Sequence, residues 1–263
     1  MKSHLVLCIV ALAIAGCTGV GMAGEPANTE QLPPAKVMAH KAVDKIAVDG
    51  KLDEESWKKA DSLPIDFIHP GGKKGEAAGI GRMTWDGANF YISFELADTN
   101  VKAQGDTRDN ANIVPPNDVV EIFIDINNDD EHFFELHLNP LNAFNDVFIE
   151  RPRKESPLYN RLMFNVMFLQ CWNMPEYETA VTVDGTVNKD DDKDIGWTAE
   201  IRLPFNSMMM PAGQKQPKPG DVWRVQLVVQ NGDSKERYME WSPNYDVWFH
   251  HSIDNWGRVE FGQ

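Results

Sequence analysis

Asn117-Asp-Val-Val-Glu-Ile-Phe-Ile-Asp125 is followed, after a link containing Asn127-Asn-Asp-Asp130, by His132-Phe-Phe-Glu-Leu-His-Leu-Asn139. Both runs alternate apolar with polar residues, the period of a strand with one buried face. Val120, Ile122 and Ile124 share one face of the first run, opposite Val119, Glu121, Phe123 and Asp125. Phe134, Leu136 and Leu138 share one face of the second, opposite Phe133, Glu135, His137 and Asn139. The link is rich in turn formers, so the pair predicts an antiparallel hairpin. A register that sends both apolar sets into one core gathers Glu121, Glu135, His137 and Asn139 on the outer face and sets Glu121 near His137. A carboxylate, imidazole and amide patch suits hydroxyl-rich ligands. An ordinary solvated sheet face is the alternative.

Outward from this hairpin the chain keeps the same character. Phe90-Tyr-Ile-Ser-Phe-Glu-Leu96, Glu178-Thr-Ala-Val-Thr-Val183, Trp197-Thr-Ala-Glu-Ile-Arg-Leu203, Trp223-Arg-Val-Gln-Leu-Val-Val-Gln230 and Arg258-Val-Glu-Phe261 read as further strands. Asp184-Gly185 is a hairpin-type turn signal. One short N-terminal helix is expected over Asp53–Ala60, acids first and lysines last to suit the helix dipole, with Trp57 and Ala60 packed on the sandwich edge. About ten strands without regular helix alternation predict an all-β fold, an antiparallel, jelly-roll-like β-sandwich. Trp57, Trp85, Trp197 and Trp223 read as core. Trp248, within Asn244-Tyr-Asp-Val-Trp-Phe-His-His251, lies between strand signals, where an aromatic is unusual. Residues 141–177 are the least readable stretch.

The N-terminus resembles an export signal. Lys2 precedes an apolar run, Leu5 to Ala15, too short to span a bilayer but suited to a signal-peptide core. Ile14-Ala-Gly-Cys17 resembles the bacterial lipobox. The expected organisation is therefore a signal peptide over 1–16, a lipidated Cys17 with a flexible tether over 17–36, and one domain over 37–263. The expected location is exported and membrane-anchored, in the periplasm or at the outer membrane or cell surface. Of three cysteines, Cys8 lies in the expected signal and Cys17 would be acylated, which would leave Cys171 with no intramolecular partner. With 40 acidic and 25 basic residues the net charge is −15, which repels a phosphate backbone and disfavours nucleic acid as a partner. Two loops, Asp125–Glu131 and Asn188–Asp194, concentrate hard oxygen donors of the kind calcium takes, with Asp125, Asp129, Asp130 and Asp192 as candidate ligands. Solvated charged turns are the alternative.

Asp118-x-x-Glu121-Ile-Phe-Ile-Asp125 resembles the central strand of family 9 carbohydrate-binding modules and their DOMON-like relatives. Ile46-Ala-Val-Asp-Gly-Lys-Leu-Asp-Glu-Glu-Ser-Trp57, Thr84-Trp-Asp-Gly-Ala-Asn-Phe-Tyr-Ile-Ser-Phe94, Glu135-Leu-His-Leu-Asn-Pro140 and Asp194-Ile-Gly-Trp-Thr-Ala-Glu-Ile-Arg-Leu-Pro204 are similar to its other segments in the same order. Trp241-Ser-Pro243 and Trp256-Gly-Arg-Val-Glu-Phe261 resemble its close.

The resemblance implies a non-catalytic carbohydrate-binding lipoprotein that takes oligo- or polysaccharide at the cell envelope, beside separate glycoside hydrolases. In such modules a sugar sits between two tryptophans. Trp248 matches the late one, whereas the early position reads Val114-Pro-Pro116, without an aromatic. The expected site is Trp248 as platform, with His250 or His251 beside it and Glu121, Glu135, His137 and Asn139 as polar partners. The resemblance also implies structural calcium and no organic cofactor. Two alternatives follow from the residues and the relatives. Glu121 and Glu135 drawn as a carboxylate pair would make a weakly hydrolytic or hydrolase-associated domain. Met208-Met-Met210 with His132, His137, His250 and His251 would permit a haem b electron-transfer domain.

Overall fold

Alternation of apolar residues builds two layers. The computed structural model describes residues 31–105, 117–150, 167–169, 172–212, 216–232, 234, 237–245 and 252–263. Its first half holds β1 (Lys36–Lys41), α1 (Glu55–Lys59), β2 (Leu63–Pro64), β3 (Phe67–Ile68), β4 (Lys73–Lys74), β5 (Gly79–Trp85) and β6 (Asn89–Ala97). Next come β7 (Val119–Asp125), β8 (His132–Leu138), β9 (Phe144–Glu150), β10 (Met167–Leu169), β11 (Glu178–Asp184) and β12 (Gly196–Pro204). The chain closes with α2 (Phe205–Ala212), β13 (Val222–Gln230), β14 (Tyr238–Glu240), a 3₁₀ turn (Ile253–Asn255) and β15 (Gly257–Phe261).

One layer runs β10-β9-β8-β7-β13-β15-β1, with β14 beside β13 and β3 and β4 beyond it. The other runs β1-β5-β6-β12-β11, with β2 on β5. Strand β1 joins them: Lys36–Ala39 pair with β15, and His40 and Lys41 pair with β5. Both pairings are parallel, while the remaining ladders are antiparallel.

The expected sandwich is thus observed, with fifteen strands among the described residues rather than about ten. The additional strands are mostly two or three residues long, too short to show alternation. The helix covers Glu55–Lys59, shorter than expected, and a second, α2, follows Pro204.

Between the layers lie the inward residues the alternation picked out: Val120, Ile122 and Ile124 of β7 and Phe134, Leu136 and Leu138 of β8, facing Met83, Ile92, Phe94, Ala199 and Ile201. Trp223 and Phe261 meet edge to face at 4.7 Å, and Phe90 joins Trp223 at 5.6 Å. Such pairs add about 0.5–1.5 kcal/mol each beyond simple burial.

The Asp49-Gly50 and Gly196-Trp-Thr-Ala-Glu200 motifs fasten a clasp on the outer side of the second layer. Glu200, fully buried, accepts the backbone N–H of Asp49 (2.9 Å) and Gly50 (2.7 Å) with one oxygen and the Trp57 indole N–H (2.8 Å) with the other. Burial raises its pKa against the pull of these donors. Gly50 has φ +85°, and a Cβ there would lie 2.6 Å from Thr182 Oγ1, so the turn needs glycine. At the start of α1, Asp44 accepts the N–H groups of Glu55 (2.9 Å) and Ser56 (3.1 Å), a cap supplied from outside the helix.

Candidate binding site

The outer face of the first layer departs from a solvated sheet. Strand β7 is buried along its whole length. Phe123, Phe133, Val147, Ile149 and Val228 form a second apolar cluster there under Ile253 and Trp256. Trp256 stands edge-on to Phe133 at 5.3 Å and tilted on Phe123 at 5.5 Å. The apolar Phe123 and Phe133 on the otherwise polar face were the sequence signal for this cover.

Beside the cluster, register aligns Asn145, His137 and Glu121 across β9, β8 and β7. The expected proximity of Glu121 and His137 is therefore observed. His137 Nε2 lies 3.2 Å from Glu135 Oε1 and 3.9 Å from Glu121 Oε2. Asn145 Nδ2 lies 3.2 Å from the other ring nitrogen. Burial works against the imidazolium, but the hydrogen bond and charge of Glu135, with the charge of Glu121, hold the pKa above its usual value. Glu121 is 8% exposed, and among the described residues the nearest cationic group to its carboxylate is this imidazole.

Next along the face come residues the sequence did not single out. Glu240, on β14, is opposite Val228, and His69 Nδ1 approaches its Oε1 at 3.4 Å. Tyr238 packs on the apolar cluster and stands edge-on to His69, ring centroids 6.5 Å apart. Burial and the charge of Glu121 raise the pKa of its phenol. Asn145 falls in the stretch that read poorly, and β3 and β14 are too short to reveal which way their side chains point.

Two stems close over this face. Gln226, fully buried, donates to the Ser242 carbonyl (2.9 Å) and accepts the Ser242 N–H (3.3 Å). Ser242 Oγ donates to the Asn255 carbonyl (2.7 Å), tying 241–245 to 252–256. Gly71 N–H donates to the Asn244 carbonyl (3.1 Å), bringing the β3–β4 hairpin to the same stem. Trp248, His250 and His251, which follow the first stem in sequence, fall outside the described residues, and so do Val114-Pro-Pro116, Cys17 and Cys171.

Asn139 is corrected. It is fully buried, donates to the Gln104 carbonyl (2.8 Å) and accepts the N–H groups of Leu141 and Ala143 (3.0 Å each). One residue past the end of β8, it caps a turn rather than facing a ligand.

The calcium candidates are engaged within the protein. Asp125 accepts the N–H groups of Asn127 (3.0 Å) and Asn128 (2.7 Å), and Arg224 lies 3.7 Å from its other oxygen. Asp130 is ion-paired with the same Arg224. Asp129 accepts from Glu131 N–H (2.8 Å) and holds His132 Nδ1 at 3.0 Å. Asp192 faces Lys189 at 3.3 Å. A cation in the first loop would share its donors with a guanidinium. Among the described residues no group of three or more His, Cys, Asp or Glu is placed to hold a metal.

Of the residues named for the haem alternative, Met208 and Met209 are not paired with His137. Met208 and Met209 are buried in the main core between the layers, whereas His137 faces outward on the other side of β8.

The profile described as "Carbohydrate family 9 binding domain-like" matches residues 48–262. Among solved structures the chain resembles a family 9 carbohydrate-binding module from Caldicellulosiruptor kristjanssonii in complex with cellotriose, at 16% identity and TM-score 0.55, over 87% of this chain and 94% of that one. A candidate carbohydrate-binding protein from Bacteroides uniformis aligns at 12% identity and TM-score 0.60, over 86% and 99%. These likenesses are of fold. Among curated proteins none matches the chain.

Proposed function

The chain belongs to the Carbohydrate family 9 binding domain-like family, and from that premise we propose that it binds oligosaccharide on the outer face of β7, β8 and β9 without chemistry of its own. Glu121 carries the reading. A nearly buried carboxylate normally has its acceptors filled by the protein. Here the nearest cationic group among the described residues is the His137 imidazole at 3.9 Å, which leaves acceptors for ligand hydroxyls. His137 is positioned by Glu135 and Asn145, and Trp248, which falls between the two stems in sequence, is the aromatic we assign to a sugar's C–H face.

Glu121 and Glu135 converge on one imidazole. This arrangement does not set an acid and a base on either side of an open gap, as hydrolysis requires. The structural relative solved with cellotriose makes β-linked glucose oligomers the first ligands to try. The lipobox-like Ile14-Ala-Gly-Cys17 supports a lipid-tethered protein outside the cytoplasm, working beside separate glycoside hydrolases.

The test is calorimetric titration of the mature protein with glucose and cello-oligosaccharides, then of Glu121→Gln. Loss of one good polar contact is worth roughly 1–3 kcal/mol, or five- to a hundred-fold in affinity. Unchanged affinity in Glu121→Gln places the site elsewhere.

A further inference from the structure

The opposite side of the sandwich carries a groove that the family's signature residues help to build. On the outer side of β5, β6 and β12, the segment from Leu52 to Ser62 borders a cavity of about 400 Å³ walled by Trp57, Arg82, Glu95 and Thr198. A second cavity, about 560 Å³, shares Glu95 and Thr198 and runs on to Ile80, Thr182 and Ile195. Together they form a trough across the sheet, and each volume is in the range of small-molecule sites.

We propose that this trough is a second saccharide site, taking a neutral oligosaccharide, on the layer opposite Glu121. The inference rests on the carbohydrate-binding reading but uses none of the residues of the first site.

Three features support a neutral, hydroxyl-rich ligand. First, both cations of the trough are matched within the protein, and Asp53 and Asp184 add negative charge to its walls. Arg82 Nη1 lies 3.0 Å from Glu95 Oε2, and Lys58 lies 2.8 Å from Glu55. An anionic ligand would have to displace a partner and meet these carboxylates, whereas a diol can bond to the donors and acceptors of an existing pair. The Arg82 side chain is 19% exposed and that of Glu95 58%, so the pair is anchored at one end and accessible at the other.

Second, aliphatic surface lies beside the polar groups. Ile80 lines the trough, and Ile195 is 70% exposed at its mouth, a large apolar side chain placed to cover a sugar's C–H face. Third, the walls are held before any ligand arrives. Trp57 is fixed through Glu200, and Thr198 Oγ donates to the Gly50 carbonyl at 2.5 Å. Little ordering is then left for a ligand to impose.

The experiment is a two-dimensional amide NMR titration of the mature protein with cellotriose, raised into the millimolar range. The expected result is two groups of saturating shifts, one around Glu121 and His137, the other around Arg82, Thr198 and Ile195, each with its own Kd. Glu95→Gln and Ile195→Ala, both at exposed side chains, should each weaken the second group at least fivefold and leave the first unchanged. Glu121→Gln should do the reverse. If the first group saturates while the trough resonances stay still, or move identically in both trough variants, the second site is refuted and the first stands. If neither group shifts, the carbohydrate reading of the first site falls with it for this ligand class.

Discussion

Replacing Glu200 by Ala removes the one side chain that receives Asp49, Gly50 and Trp57 together. Asp49 is exposed, so its N–H can turn to water. Gly50 and Trp57 are buried, and each donor left without an acceptor costs roughly 1–3 kcal/mol. Part of this is offset because a buried carboxylate is no longer desolvated, the same effect that raises the pKa of Glu200. The net expectation is a loss of about 3 kcal/mol, or roughly 6–12 °C in melting temperature for a domain of this size. Urea unfolding followed by tryptophan fluorescence measures it. Trp57→Phe removes the indole N–H together with part of a buried ring, so its own cost includes a cavity term. The double variant should fall short of the sum by about 1–2 kcal/mol, since both changes break the same bond. A Glu200→Ala protein within about 0.5 kcal/mol of wild type, or full additivity with Trp57→Phe, would refute the clasp.

Three further outcomes are expected. Burial pushes the Asp118 carboxyl up to about 7 and that of Asp125 up to about 6, and the carboxylates around His137 hold its imidazolium. All three groups bind protons more tightly folded than unfolded, so the stability they contribute is present on the acid side and lost as pH rises through the folded values. The melting temperature should therefore fall from pH 6 to pH 8.5, less steeply in Asp118→Asn; a rise over that window contradicts the assignment. Chelator and millimolar calcium should give the same melting temperature, because a saturated site would add about 2.7 kcal/mol at a hundred times its Kd; a calcium-dependent rise would mean that the Arg224 pairings open for the ion. Cys17→Ser should move the expressed protein from the detergent phase to the aqueous phase, and wild type found wholly in the aqueous phase would exclude the lipid tether.

What the sequence disclosed, and what it hid, follows from strand length and from where side chains end. The alternation in Val119–Asp125 and His132–Leu138 is long enough to specify two faces, so the core and the Glu121–His137 neighbourhood were both legible. Asn139 continued the same alternation on paper, but it sits past the strand, where a short amide side chain bonds to nearby backbone more readily than to a ligand. Tyr238 and Glu240 reach the site on a strand of three residues and His69 from the turn after a strand of two, none long enough to carry a period. Asn145 was masked because Asp146, buried on the inward face between Phe144 and Phe148, breaks the apolar pattern of β9. For calcium, composition found the carboxylates, but the Arg224 that neutralises them is nearly a hundred residues away and visible only through the β7–β13 pairing.

The most direct test of the central claim is an NMR titration that follows the His137 ring and the Trp248 indole as cello-oligosaccharide is added. Binding at the proposed face predicts that both shift with one common Kd, while the indole of Trp223, buried in the core between the layers, does not move. Saturable binding by calorimetry with His137 and Trp248 unchanged would contradict it.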